Sequence, residues 1–461
     1  GGDRVTTKLM AHIPALLQVS ENSRAAVVGF GTGITVGSLS RYDEISSIDI
    51  LEISSAVREF SPLFDDENGG TSKSSKINWR MGDAYRFLLE SPNTYAIIAS
   101  EPSNPWVGGV ERLYSRDFYT LIRQKLAPGG VYAQWFHTYS ISEATLAMVL
   151  HTFQSSFADV HLFERDTDVV LIGSNEDISG KNLEMMRQRF EREVVRKDLE
   201  EVGIRRLDMI LSAEPWVPWG GLVNQPVHTL DKPKLSYWAG RDFFLERSSS
   251  ASAMASQPYY RGWSKMSFVD TLLGRLYVSA PSEDRVHAMA FMYCELDDEG
   301  RLKSWSKASS ACKQAVLAAL VAGDVVAHPE VPEKVVRFFK SIIPAGVSDV
   351  TPPSSIQEIR ENLDWLFEYG RPFIEIDPAK VRRYAEACFK DQSDVSAGCR
   401  SRLVLGFASN GFWAEAGEEF EAMLRDNLRF PSREAAQLLA RVANRIVTPE
   451  RLESIPVDSD T

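Results

Sequence analysis

The chain has 461 residues, a formal net charge of −12, and 44% hydrophobic and 25% charged residues. That is the composition of a globular protein of several domains, at roughly 100–200 residues each. The acidic balance argues against nucleic acid or an anionic membrane as the main partner, and suits a cationic one. No run approaches the ~18 consecutive apolar residues of a membrane span, and no signal peptide is apparent. The chain opens on Gly1-Gly2 without an initiator Met. A cytoplasmic protein is expected, or the soluble part of a membrane-anchored one. Cys294, Cys312, Cys388 and Cys399 lack CxxC spacing and are expected to be free thiols.

In chain order, apolar runs at Ala25–Val28, Ile48–Leu51, Tyr95–Ala99, Val131–Gln134, Val160–Phe163 and Val169–Ile172 predict strands. Helical patterns separate most of them, which argues for a parallel sheet covered on both faces. Only Glu164–Asp168 lies between the last two runs, so they are expected to close the sheet as an antiparallel hairpin. The fold class is therefore α/β, a class I methyltransferase-like Rossmann sheet over residues 1–175. Residues 176–245, aromatic and irregular in part, are expected to pack on it as an extension. Within them EREVVRKDLEE reads as a solvated helix face. Residues 246–257 are small and polar and predict a linker. Over 258–461 the spacing is helical, at 286–296, 311–322, 332–342, 356–369, 379–390, 400–409, 412–426 and 433–445. LGFASNGFWAEAGEEFEAML, with Ala408, Gly411, Ala416 and Phe420, resembles one tetratricopeptide-type hairpin, so a repeat-like all-α domain is expected.

The chemistry starts in AVVGFGTGI. Gly29, Gly31 and Gly33, with Thr32 among them, follow a strand and precede a helix. Glycines there allow a tight turn and close approach to a ligand, and free N–H groups at the helix start favour polar groups. Glu52 ends the second strand, where an acid can accept from both ribose hydroxyls. Asp83, followed by Ala84, comes after a third strand. Its carboxylate can accept from an adenine amino group, or simply cap the next helix. Glu101 and Asn104 follow the fourth strand, in the place where doubly wound folds bind ligands. Trp106 and Trp135 could line an acceptor pocket and face a cation, with ordinary burial as the alternative. His137 could help deprotonate an acceptor, though a structural histidine is the commoner outcome. Asp231 either helps close the site or starts a turn. The histidines and cysteines have no metal-ligand spacing, and no metal is expected.

As a series, HIP (12–14), GFGTG (29–33), ILEIS (50–54), GDAYRFL (82–88), SEPSNP (100–105), ERLYSRDFY (111–119), LAPGG (126–130) and VYAQ (131–134) resemble the spermidine/spermine synthases, the polyamine aminopropyltransferases. SEPSNPW and TLDKPKLSYWAGR are similar to bacterial spermidine synthase-like proteins, some of which add an upstream membrane region and downstream helical repeats. The resemblance implies that Glu52 holds the ribose, Asp83 contacts the adenine, Glu101 stands for the catalytic Asp, Asn104 for its partner Asp, and Gln134 closes the nucleoside pocket. It also implies a decarboxylated S-adenosylmethionine donor, an amine acceptor and a homodimer. The family's glycine-motif Asp is Thr32 here, and its Tyr-His or Tyr-Gln pair ahead of the first strand is Thr6-Thr7.

Three readings follow. The first is aminopropyl transfer from decarboxylated S-adenosylmethionine to a polyamine-like amine, releasing methylthioadenosine, with Glu101 as base. The second is methyl or aminocarboxypropyl transfer from intact S-adenosylmethionine, which a neutral Thr32 would tolerate. The third is nucleoside binding without turnover, with the helical region recruiting a protein partner.

Overall fold

A computed structural model describes residues 3–18, 20–178, 183–214, 222 and 224–250. Further on it describes 272–277, 282–294, 333–342, 355–367, 376–389 and 394–426, with short pieces between 296 and 331. Contacts divide the chain into two compact units, Gly1–Ser279 and Ala280–Thr461. The first unit therefore runs past the expected linker at 246–257, most of which lies outside the described residues.

The first unit opens with helix α1 (Asp3–Leu17) and strand β1 (Ser23–Val28). Next come α2 (Ile34–Ser40), β2 (Ile45–Glu52), α3 (Ser55–Phe60), α4 (Asp65–Asn68), β3 (Ile77–Met81), α5 (Ala84–Glu90) and β4 (Tyr95–Ser100). They are followed by α6 (Arg116–Lys125), β5 (Leu126–His137), α7 (Glu143–Gln154), β6 (Asp159–Arg165) and β7 (Asp168–Ser174). Helices α8 (Leu183–Phe190), α9 (Glu193–Glu200), α10 (Leu207–Leu211), α11 (Lys234–Phe244) and α12 (Leu272–Tyr277) complete it. The seven strands form one sheet in the order β3-β2-β1-β4-β5-β7-β6. β1 to β5 are parallel, and β7 runs antiparallel to both β5 and β6. This is the class I methyltransferase-like sheet, closed by the predicted hairpin.

The central strands are apolar on both faces because helices cover both faces. Ala25–Val28 and all of β4 are buried, whereas the edge strand β3 stays partly exposed. The main core gathers against β5. Tyr132 stacks with Phe153 and Phe157, and Tyr114 meets Phe136 edge-on. Burying such a side chain stabilises the fold by about 1.5–3 kcal/mol. Hydroxyl and carboxylate caps start the covering helices: Asp83 accepts from Arg86 N, Ser115 from Phe118 N and Ser142 from Thr145 N.

Helix α1 is fixed by a buried charge network. Lys8 Nζ donates to Asp198 Oδ1 at 2.9 Å and to the Asp198 carbonyl at 2.6 Å. His12 Nε2 lies 2.8 Å from Asp198 Oδ2, and Ser38 Oγ donates to that oxygen at 2.6 Å. Arg41 completes the set at 3.0 Å. Burial opposes ionisation of Asp198, but these donors hold its carboxyl well below the usual carboxylate range. This corrects the reading of EREVVRKDLEE as a solvated face: α9 buries Val195, Asp198 and Leu199, and Asp198 joins α9 to α1 and α2.

In the second unit the described helices include Ser282–Tyr293, Glu333–Ile342, Ile356–Trp365, Pro378–Ala385, Asp394–Ser409 and Trp413–Arg425, with an isolated bridge between Leu296 and Leu302. The last two helices pack against each other as a helical hairpin. Gly411 takes a φ of +84° in its turn, and Ala408, Ala416 and Phe420 are buried. The expected helix at 433–445 lies outside the described residues. Two disulfides, Cys294–Cys312 and Cys388–Cys399, correct the expectation of free thiols. Spacings of 18 and 11 residues carry no pairing signal, so only the helical packing reveals them. No helix among the described residues is long and apolar enough to cross a membrane.

An Asp198→Ala change should leave Lys8 and His12 without their shared buried carboxylate. Losing one partner of a buried ion pair costs about 3–5 kcal/mol. Urea denaturation of the purified chain should show a loss of that order, and a loss below about 1 kcal/mol would remove Asp198 as the clasp of α1.

Candidate active site

The candidate residues hang from one row of the sheet. Val28 pairs with Leu51 and Ser100, and Ser100 pairs with Gln134. One residue further on, the ladder continues as single bonds: Gly29 N donates to Leu51 O, Glu101 N to Val28 O and Gly82 N to Glu52 O, all at 2.9–3.0 Å. The glycine loop, Glu52, Asp83 and Glu101 thus leave the sheet together at the carboxyl ends of β1 to β4, with Gln134 level in β5.

The loop after β1 is shaped by two requirements. A Cβ on Gly29 would stand 2.9 Å from the Glu101 carbonyl oxygen, so the approach to the fourth strand needs glycine. Gly33 takes a φ of +78°, and a Cβ there would meet the Phe30 ring at 2.3 Å. Glu52 is buried and ties the loop down. Its Oε2 accepts from Phe30 N at 2.9 Å and its Oε1 from Ser54 N at 2.8 Å. Each carboxylate oxygen keeps a second acceptor site, which is what two ribose hydroxyls require. Thr32 turns its carbonyl to Asn68 Nδ2 at 3.0 Å. Asp83 is exposed and caps α5 through Arg86 N, with Ala84 as the first helical residue. Gln134 is fully buried. Its Nε2 donates to Leu113 O at 3.2 Å, while its Oε1 has no partner. A buried orphan acceptor at this edge of the sheet fits a ligand that brings its own donor.

Beside Glu101 opens a cleft of about 370 Å³. Glu101 and Pro102 form one side, Thr6, Thr7 and Met10 of α1 another, and Arg165–Asp168 at the β6–β7 turn the side across from them, with Trp135 and Tyr139 adding aromatic walls. Glu101 Oε1 is hydrogen-bonded to Thr35 Oγ1. Burial raises its carboxyl to about 7, and the Thr35 bond only partly offsets this. A base with a pKa near neutrality is well matched to proton transfer at physiological pH.

Of the other predicted residues, Trp135 lines the cleft and donates through Nε1 to Asp168 Oδ1 at 3.2 Å. Asn104 sits where Tyr139 OH donates to its Oδ1 at 3.0 Å. Trp106 and His137 form an aromatic stack with Tyr139 and Phe243, with ring centroids 4.0–6.2 Å apart. His137 is fully buried, and burial lowers its pKa to about 4. It is therefore neutral, and its Nδ1 meets the Tyr139 carbonyl at 2.8 Å. That gives it a place behind Tyr139 and not a face on the cleft. Asp231 lies exposed in the turn before α11.

The residue that sequence reasoning missed is Asp168. Thr6 Oγ1 donates to its Oδ2 at 2.7 Å and Trp135 Nε1 holds its other oxygen, so the carboxylate is fixed in the cleft wall. The one available signal was the polar run Glu164–Asp168, which marks a hairpin equally well. Among the described residues no group of three His, Cys, Asp or Glu side chains stands close enough to hold a metal ion.

Residues 4–164 match the family model described as the spermine/spermidine synthase domain. A spermine synthase of Arabidopsis thaliana is 32% identical over 154 residues, 32% of this chain and 42% of that protein. Putrescine N-methyltransferase 2 of Nicotiana attenuata is 28% identical over 144 residues, 30% of this chain and 38% of that protein. The chain thus spans less than half the length of these curated relatives. A crystal structure of a spermidine synthase in complex with the transition state analogue AdoDATO aligns over 43% of this chain and 76% of its own, at 14% identity and a TM-score of 0.36. Through residues 4–164 the chain is therefore similar to the spermine/spermidine synthases, and the likeness lies within the first unit.

Proposed function

We propose that the chain transfers an aminopropyl group from decarboxylated S-adenosylmethionine to an amine, with Glu101 as general base. The observation that carries this is a single partly buried carboxyl, poised near neutrality, at the carboxyl end of β4 and within an acid-lined cleft. On this reading the adenosine lies over the glycine loop, its ribose on Glu52, its base near Asp83 and Gln134. The acceptor enters the cleft from the side of Trp135 and Tyr139. The amine lone pair attacks the carbon next to the sulfonium, a C–N bond forms, and the C–S bond breaks with its electrons moving to sulfur. The proton released from nitrogen goes to Glu101. Methylthioadenosine and an extended amine leave. Asp168 supplies a fixed negative charge for the distal ammonium of a diamine, and the aromatic walls offer π faces to the same cation.

A second reading is favoured by Thr32. A neutral residue there does not repel the carboxylate of intact S-adenosylmethionine, and the likeness to a relative named putrescine N-methyltransferase supports this alternative. Calorimetric titration with both donors and with methylthioadenosine separates the readings. Preference for the decarboxylated donor is expected; preference for the intact donor would replace aminopropyl transfer, and no binding by any of the three would leave a scaffold role.

Glu101→Gln should lower kcat by about 10²–10⁴ while leaving donor affinity within about threefold, as a lost general base does. Full turnover by this variant would exclude Glu101 as base. The base must be ionised to act, so kcat/KM should rise with pH through about 7 and fall away below it. A profile flat across neutrality would contradict the assignment. Asp168→Asn should raise KM for a diamine by roughly 10–100-fold with kcat kept, the loss of one charged contact, and should spare a monoamine of equal length.

A further inference from the structure

Thr35 Oγ1 stands between two acceptors. It lies in hydrogen-bond contact with Glu101 Oε1, and 2.8 Å from the carbonyl oxygen of Thr7 in α1. A hydroxyl carries one hydrogen, so it cannot donate to both at once. Two arrangements satisfy the geometry. With Glu101 ionised, Thr35 donates to the carboxylate and releases Thr7 O. With Glu101 protonated, the carboxyl O–H donates to Thr35 Oγ1, and the Thr35 hydrogen turns to Thr7 O.

We propose that Thr35 is a positioning residue that reports the proton on Glu101 to helix α1 by switching its hydrogen between the carboxylate and the Thr7 carbonyl. This rests on the reading of Glu101 as base and deepens it. The neighbour of Thr7 is Thr6, whose hydroxyl holds Asp168 in the cleft wall. A chain of adjacent groups, Glu101, Thr35, Thr7, Thr6 and Asp168, therefore joins the two acids that would meet the acceptor. When the amine gives up its proton, the hydrogen bond on α1 forms at the same moment.

Few other charges compete at this point. α2 has no ionisable side chain along Ile34–Ser40. On α1, Lys8 is bound to Asp198 and Glu201, Arg4 to Glu201, and His12 to Asp198, with burial holding the His12 pKa below its ordinary value. Glu52 is bound to backbone N–H groups. The charged side chains that share the cleft are Arg165, Asp166 and Asp168 of the β6–β7 turn. The direct hydrogen-bond partner on the Glu101 carboxylate is Thr35.

The test needs no turnover. Thr7–Lys8 is the sole Thr-Lys step in the sequence, so carbonyl-¹³C threonine with ¹⁵N lysine gives the full chain one NMR cross-peak at that peptide. Titrated from about pH 5 to about pH 9, that peak should move with a midpoint near the Glu101 value, and Glu101→Gln should stop the movement. Thr35→Val should also stop it, and should raise the Glu101 midpoint by about one pH unit, because the charged form loses its donor. Thr35→Ser keeps a hydroxyl and should restore both. A peak that stays still in the unmodified chain, or a serine variant that behaves like valine, would overturn the proposal. If Thr35→Val does not fold, the unmodified chain and Glu101→Gln still decide. Failure of the aminopropyl reading would show separately, as absent donor binding or turnover with this titration intact.

Discussion

The site depends on the register of the parallel strands. Val28, Leu51, Ser100 and Gln134 share a row, and the bonds from Gly29, Gly82 and Glu101 extend it by one residue. Because side chains alternate along a strand, a slip of one residue would turn each of these groups to the opposite face. Both faces of the central strands are buried, so that slip is opposed because it would draw the polar residues that follow the row into the apolar sheet. The apolar core, which has no chemistry of its own, thus sets where Glu52 and Glu101 stand relative to the glycine loop.

Two buried charge clusters then fix what the sheet does not. Asp198 gathers Lys8, His12, Ser38 and Arg41, and holds α1 and α2 to α9. On the far side of the hairpin, His161 meets Glu214 at 2.7 Å while Arg275 of α12 meets Asp159 at 3.0 Å. Burial alone would lower the His161 pKa, but Glu214 and Asp159 raise it to about 9. Desolvation makes such clusters modest contributors to net stability, but a missing partner in either is costly. That asymmetry favours one arrangement of α1 and one of the β6–β7 hairpin. These are two of the elements that wall the cleft beside Glu101.

What could be read in the sequence is what one segment determines. Glycine turns, a strand-end acid such as Glu52 and a cap such as Asp83 are local, so their order along the chain revealed the sheet and the edge at which these groups gather. The partners of a side chain from a distant element are not local. Thr6 and Asp168 are 162 residues apart, and Lys8 and Asp198 are 190 apart. Nothing in RDTDVV distinguishes a cleft wall from a solvated turn, and nothing in VVRKDLEE marks Asp198 as the buried member of a charged run. The disulfides belong to the same class, because a pairing depends on where two helices bring their ends.

The acids of the cleft make a division of labour that the loop alone would not. Two carboxylates on one loop raise each other's pKa, because each opposes ionisation of the other. Here the second position is Asn104, which accepts from Tyr139 and carries no charge. The elevation of Glu101 is left to burial, which acts without an anionic neighbour on its own loop. On the proposed reading the negative charge for a cation is Asp168, on another element of the cleft wall, where Thr6 and Trp135 hold it still. A linear diamine has two nitrogens with opposite needs, since one must lose its proton to attack and the other is held best as an ammonium. On the proposed reading, a base at Glu101 and a counter-charge on a different element at Asp168 would meet both needs, whereas placing both acids on one loop would set them in competition for the same proton.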